Sequence, residues 1–406
     1  MEIKNKSIYY EKNKLKKEVD KNFKIEQAKR RRRNIIYILI IFIVLSILNN
    51  QSVSIINFFQ TRIKINGLKH IIIVIFSFLT CFGISLIDYK IYKKKSIKIT
   101  VAILSVIILS FMIFGKNTNL VVQNKGAAAW LNLRFFTIQP SEILKIPFII
   151  LIASIFAKAE ENNAAIKSTI IFSSGIFAIF AFLICKENDL GTVLHYTAIY
   201  LFMLFLTNIP KKIINLFFVL FTPIVLGIFY IIFKYGDEIS KDYKILRIQA
   251  FLQGLMYNNY ENKLSYQVKQ SLLAFGNGGF LGQSYGNGIQ KYSYLPEIHT
   301  DFIIALFGEE MGFIGMIWLI GCFFMLYTVI TAIGRNCNDK FGKYLALGIA
   351  GYIISQFLIN IFVTLGLLPV FGIPMPIFSY GGSSIITIFI GVGIVLNIDR
   401  KLRVDK

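Results

Sequence analysis

The stretch YLPEIHTDFIIALFGEEMGFIG, Tyr294 to Gly315, decides how this chain is read. It opens an apolar run that continues to Ile333, long enough to cross a bilayer. Yet it carries Glu297, His299, Asp301, Glu309 and Glu310. Ionisable groups at the edge of a hydrocarbon span, or inside it, cost free energy unless water, a partner or a reaction uses them. Working outward, apolar runs of the same kind recur, and ten spans are predicted: about 35–56, 68–88, 97–115, 142–158, 168–186, 189–209, 213–234, 301–333, 341–366 and 379–398. The expected fold class is an all-α polytopic integral membrane protein with ten transmembrane helices. Composition agrees, since only 16% of the 406 residues are charged, against about a quarter in a soluble chain.

Lys and Arg placement sets the orientation. The tail 1–34 ends in KRRRR (29–33), and the alternate loops are basic too: KIYKKKSIK (90–98), Lys158 to Lys167, Lys211-Lys212, Arg335 to Lys343, and the C-terminal RKLRVDK. Both termini are therefore expected in the cytoplasm, with the loops 49–67, 116–141, 187–188, 235–300 and 367–378 on the outer face. Arg62 and Lys64 alone run against the rule. The net charge of +22 is thus mostly a topology signal rather than a nucleic-acid footprint, because no stacking platform lies between the basic clusters. The chain divides into a basic cytoplasmic tail, 1–34, which reads as part of a retained anchor rather than a cleaved signal, and a membrane domain, 35–400. Cys81, Cys185, Cys322 and Cys337 show no paired spacing, which points to neither disulfides nor a metal site.

Two outer loops depart from plain membrane filler. The loop 116–141 contains NKGAAAWLNLRFFTIQPS, and the loop 235–300 is too long and too apolar for simple disorder, so short amphipathic helices are expected in it. Asp301 directly precedes FIIALF. It reads equally as a helix N-cap and as a general base held at the water–lipid boundary. Glu309 and Glu310 fall about 12 Å deeper along the same helix. At 100° per residue Glu309 shares a quadrant with Asp301, whereas Glu310 points to the opposite side and needs a partner there. Asp189 opens the sixth span in ENDLGT, and Glu142 opens the fourth in QPSEILK with Lys145 one turn on. Asp189, Glu142 and Asp301 begin different helices on one membrane face, as an outward-opening polar cavity would require. His299 has no second His nearby and is read as structural.

At this point a resemblance enters. YQVKQSLLAFGNGGFLGQSYGNGIQKYSYLPEIHTDFIIALFGEEMGFIG (266–315) resembles the matching region of the SEDS family, the shape, elongation, division and sporulation proteins typified by FtsW, RodA and SpoVE. GAAAWLNL with IQPSEILK (126–145), ENDLGT (187–192) and GIPMPIFSYGGSS (372–384) follow the family order. The resemblance implies a ten-span peptidoglycan glycosyltransferase of the bacterial cytoplasmic membrane. Such enzymes polymerise lipid II, the disaccharide-pentapeptide on undecaprenyl pyrophosphate, onto a growing glycan strand at the outer face. They work beside a class B penicillin-binding protein, a transpeptidase, within the division or elongation machinery. The family's essential aspartate matches Asp301, and Glu297, Glu142 and Lys145 fall in the same cavity by resemblance. GNGIQKYSYLPE leans to the division type and LPVFGIPMP to the elongation type; the division reading is carried forward. Two departures stand out: Ala128 and Ala129 replace the cations of the family's GAKRWI, and Glu187-Asn188-Asp189 replaces QPD.

Elementary chemistry is consistent with that implication. A carboxylate at the membrane mouth can take the proton of an attacking sugar hydroxyl. The leaving pyrophosphate needs cations or N–H groups, for which Lys145, Arg134 and Lys291 are candidates, and a divalent cation, magnesium or manganese, is compatible. Trp130 offers an aromatic face to sugar or lipid, or serves as an interfacial belt residue. Ser379 and Ser383 lie in a Gly-Ser segment that either approaches substrate or allows tight helix packing. A lipid flippase or a non-catalytic scaffold for a transpeptidase are the alternatives.

Overall fold

The computed structural model describes residues 2–60, 67–124, 127–133, 136–162, 165–207, 210–239, 243–257, 260, 265–292 and 294–404. Its α-helices are, in chain order, α1 (Glu2–Gln60), α2 (Gly67–Leu86), α3 (Lys95–Phe114), α4 (Pro140–Ile143), α5 (Lys145–Glu161), α6 (Ile166–Lys186), α7 (Leu190–Phe205), α8 (Lys211–Ile239), α9 (Tyr243–Tyr257), α10 (Tyr266–Gly278), α11 (Ile303–Arg335), α12 (Lys340–Thr364) and α13 (Gly382–Val404). The ten apolar runs fall on helices, the fourth, 142–158, being split at Leu144 between α4 and α5. Among the described residues, seven stretches are long and apolar enough to cross a membrane: Ile25–Ser54 of α1, then α2, α3, α6, α11, α12 and Gly382–Leu402 of α13. Helices α5 and α7, with 17 and 16 residues, are shorter than the roughly 20 residues that span a bilayer core. Helix α1 runs unbroken through residue 34.

Burial sorts the helices into centre and rim. The apolar windows of α12 and α13 are 83% buried, those of α3 and α6 only 17%, so the first pair forms the core and the second faces lipid. Helix α12 packs against α11, α5, α7 and α13, and α13 packs along α2. Phe323 stacks between Phe42 and Phe357, at 4.4 and 4.2 Å between ring centroids, and so ties α1, α11 and α12 together.

The all-helical expectation needs one correction, in the outer loop 116–141. It folds into a small antiparallel sheet ordered β1 (Val121–Asn124), β2 (Ala127–Asn132) and β3 (Thr137–Ile138), with Val122 opposite Trp130 and Asn132 opposite Thr137. Ala128 N–H donates to the Glu187 carbonyl at 3.0 Å, which fastens β2 to the α6–α7 turn. The alanines favour helix by propensity, but Val121, Ala128 and Met112 are buried together, and this packing prevails.

The loop 235–300 contributes α9 and α10, and its last part builds the most unusual feature of the fold. Helix α11 is interrupted at Gly312, whose φ is +65°. The freed N–H groups of Phe313 and Ile314 donate to Gly279 and Phe280 carbonyls at 3.0 and 3.3 Å, and Gln283 N–H donates to the Glu309 carbonyl at 3.0 Å. A Cβ on Gly282 would stand 2.2 Å from the Glu310 carbonyl oxygen, so only glycine lets the loop enter the break. Irregular backbone at this depth is tolerated because protein covers it and satisfies its polar groups.

Candidate active site

Asp301 sits two residues before α11, next to its N-cap position, Phe302. The turn before it is tightly held. Thr300 and Phe302 N–H groups donate to the Glu297 carbonyl at 3.1 and 3.3 Å, and the Thr300 hydroxyl donates to the Glu297 carboxylate at 3.0 Å. Glu297 itself adopts φ +56°, a left-handed conformation that costs a non-glycine residue about 1 kcal/mol or more. Three successive carbonyls of this turn then accept from the bundle: His299 from Tyr380 N–H at 2.8 Å, Thr300 from the Ser379 hydroxyl at 2.5 Å, and Asp301 from Asn360 Nδ2 at 2.8 Å. Asp301 is half-buried, and a Cβ on Gly372 (φ +73°) would lie 3.6 Å from its Oδ2.

The segment 372–384 carries the site to the next helices. Ser383 Oγ accepts from Gln139 N–H at 2.9 Å, and the Gln139 side chain donates to Asp189 Oδ2 at 2.6 Å. Asp189 is the N-cap of α7, with Oδ1 accepting from Thr192 N–H at 3.0 Å and Oδ2 from the Thr192 hydroxyl at 2.7 Å. Glu142 and Lys145 form a buried ion pair of 2.5 Å beneath this rim, and the Lys145 ammonium also lies 5.6 Å from the Tyr352 ring centre. Two sets of hydrogen bonds thus meet on the segment 379–383: Ser379 holds the Asp301 turn, and Ser383 leads through Gln139 to Asp189. Glu142 follows Gln139 by three residues on α4.

The remaining candidates divide. Trp130 lies half-buried on β2. Arg134 lies outside the described residues. Lys291 is turned inward: it pairs with Glu310 at 2.8 Å and donates to Ser52 Oγ at 2.9 Å and the Gly286 carbonyl at 2.5 Å. All three ammonium protons are used, so none remains for a phosphate. Glu310 therefore has its partner, and Ser52 donates to it as well at 3.0 Å. Glu309 accepts from Asn277 Nδ2 at 3.1 Å and Gln290 N–H at 3.0 Å, so it anchors the loop instead of lining the Asp301 cavity. Sequence reading passed over Gln139, Gln356 and Asn360. The signal was present in α12, where Tyr352, Gln356, Asn360 and Thr364 recur every fourth residue and form a polar stripe in an apolar span.

Glu187 is a further unassigned group. It is fully buried between α6 and α7, with neither carboxylate oxygen hydrogen-bonded. Burial, reinforced by nearby Asp189, pushes it from its usual 4.5 up to about 9. Between those values the folded chain holds a proton that the unfolded chain has lost. Its contribution to stability is thus full below the lower value and declines as pH rises toward the upper. Glu187→Gln is expected to flatten that decline and to melt higher than wild type at neutral pH. Thermal melts across pH check this, and parallel pH curves for the two proteins would refute it.

Residues 32–404 match the family model of the FtsW/RodA/SpoVE cell cycle proteins. The chain belongs to that family. This family member is 35% identical to the probable peptidoglycan glycosyltransferase FtsW of Trichlorobacter lovleyi over 335 residues, 81% of this chain and 83% of that one. It is 32% identical to the protein of the same name from Riesia pediculicola, over 92% of this chain and 96% of the relative. Its fold matches a chain from a solved peptidoglycan synthase complex with a TM-score of 0.70 at 19% identity, covering 91% of this chain and 97% of that one. It also matches the rod shape determining protein RodA of Thermus thermophilus with a TM-score of 0.62 at 21% identity, covering 90% and 96%. Among family types, the named relatives place this member on the FtsW-like side.

Proposed function

We propose that this FtsW-like chain is a peptidoglycan glycosyltransferase that polymerises lipid II at the outer face of the bacterial cytoplasmic membrane. The observation that carries the reading is that one segment, 379–383, fixes the Asp301 turn through Ser379 and reaches Gln139 and Asp189 through Ser383, with the buried Glu142–Lys145 pair on the helices that follow Gln139. Relatives named peptidoglycan glycosyltransferase cover most of the chain. The topology that fits has ten spans and both termini in the cytoplasm, with α5, α7 and α8 added to the other seven. This arrangement puts the Asp301 cavity opposite the basic loops.

In this mechanism Asp301 takes the proton of the acceptor sugar's 4-hydroxyl as that oxygen attacks the anomeric carbon of the donor. The anomeric C–O bond breaks, and undecaprenyl pyrophosphate leaves with the bond's electrons. Lys145 is the buried cation of the cavity, and Glu142 neutralises it at rest. An arriving pyrophosphate would compete with Glu142 for the ammonium, so the pair supplies charge only when substrate is in place. Among the described residues no three His, Cys, Asp or Glu side chains gather closely enough to cage a metal. A divalent cation here would therefore take most of its ligands from phosphate and water, and no step is derived through it. The growing glycan strand and a class B penicillin-binding protein of the divisome are the partners that fit, since a structure sharing this fold comes from a peptidoglycan synthase complex.

Purified protein supplied with lipid II, with and without its cognate penicillin-binding protein, is expected to release glycan strands resolvable on a gel. Transfer of labelled lipid II across liposomes without strand formation would favour a flippase instead. Neither activity, together with retained binding of the transpeptidase, would favour a scaffold.

A further inference from the structure

We propose that Asn360 is a positioning residue for Asp301; this rests on the polymerase reading. Asn360 projects from the polar stripe of α12 and is completely buried. Both amide protons are used, one on the Asp301 carbonyl and one on the Ile373 carbonyl, each at 2.8 Å. The two neighbours are carbonyl oxygens, which only a donor satisfies, so the network itself fixes the orientation of the amide. Ile373 follows Gly372, the residue whose Cβ would stand 3.6 Å from Asp301 Oδ2. One planar amide therefore braces both backbone walls of the carboxylate: the peptide of Asp301 and the segment that passes its side chain.

The neighbouring donors act on earlier residues of the turn. Tyr380 N–H holds His299 and Ser379 holds Thr300, whereas Asn360 reaches the peptide of Asp301 itself. Its anchor also differs. Tyr380 and Ser379 belong to the same loop as Gly372, while Asn360 stands on α12, whose apolar window is 83% buried. The brace thus refers the position of the general base to the rigid core and not to a loop. A shift of about 1 Å in a reacting group can cost about a hundredfold in rate. Loss of the brace should therefore lower the chemical step with little change in substrate affinity. Gln356, one turn below, offers an internal comparison. It makes a similar two-bond brace, to the Pro374 carbonyl at 2.8 Å and Ser384 Oγ at 2.9 Å, and does not touch the Asp301 turn.

The test measures lipid II polymerisation by full-length Asn360→Asp, Asn360→Leu and Gln356→Leu, together with thermal melts and steady-state kinetics. Asn360→Asp keeps the shape and removes the donors; Asn360→Leu removes all polarity. Both Asn360 variants are expected to lose about tenfold or more in kcat with KM within about threefold of wild type. Gln356→Leu should lose less activity for a comparable fall in melting temperature. An Asn360 variant with wild-type kcat overturns the proposal, as does a Gln356→Leu variant that loses kcat in the same proportion to its melting shift. If neither Asn360 variant folds while Gln356→Leu does, Asn360 serves folding alone and the proposal is again overturned. Failure of the wild type itself to make strands would instead sink the polymerase reading.

Discussion

Asp301→Asn is expected to abolish glycan strand formation while leaving the fold intact. The substitution keeps the size of the side chain and removes its basicity. The backbone contacts that hold the turn all run through carbonyl oxygens of residues 297 and 299–301, none of which the change alters. Helix α11 does not depend on Asp301 as its cap either, because its N-cap position is Phe302. A purely structural Asp301 would keep these backbone contacts on conversion to asparagine. A general base would lose what proton abstraction contributes, typically about a hundred- to ten-thousandfold in rate. The deciding measurement pairs a lipid II polymerisation assay with a thermal melt of the same preparation. An unshifted melt with strands absent supports the base. Normal strand formation by a folded variant would remove Asp301 from the chemistry and return the site to a structural turn.

What the sequence made legible follows from what each signal depends on. The helices of the bundle were readable because hydrocarbon demands long apolar runs, a constraint that each segment meets alone. The convergence of Asp301, Glu142 and Asp189 was readable because charge asymmetry between loops places helix starts on one face. Within the site, the N-cap position of α11 falls on Phe302 and not on Asp301, whereas Asp189 is the N-cap of α7 and accepts from Thr192 N–H. The identity of a cap depends on one or two residues at a boundary, the least certain part of any helix assignment. The sheet at β1 to β3 was illegible because its strands are short, β2 opens with three alanines, and one of its anchors, the Glu187 carbonyl, is distant in sequence. The break in α11 was illegible for a related reason. A glycine inside an apolar span normally reads as a packing contact, and only the intruding loop makes Gly312 a hinge of the chain.

Breaking the Lys291–Glu310 pair from one side should destabilise the protein far more than removing both partners. The side chains are 1% and 0% exposed, and they meet at the junction of three elements: Ser52 of α1, the loop at Gly286 and Lys291, and α11. Lys291→Met leaves a buried carboxylate with the Ser52 hydroxyl as its partner, and the usual cost of an uncompensated buried charge is about 3–5 kcal/mol. Lys291→Met with Glu310→Met removes both charges and fills a similar volume. Its remaining loss is the hydrogen bonds to Ser52 and the Gly286 carbonyl, about 1–3 kcal/mol in total. The double variant should therefore melt above either single variant. The opposite ordering would be expected had Lys291 been a phosphate ligand exposed to the cavity, since its removal alone would then cost activity and little stability. Melting temperatures of the wild type, the two single variants and the double variant in one detergent give the coupling directly. If the four values are additive, the pair is no junction, and the loop is held by the Glu309 bonds to Asn277 and Gln290 and by its backbone bonds to α11. If they are strongly non-additive, the reason for two adjacent glutamates inside an apolar helix is settled. Each faces its own side of the intruding loop, and together they fix the segment that leads into Asp301.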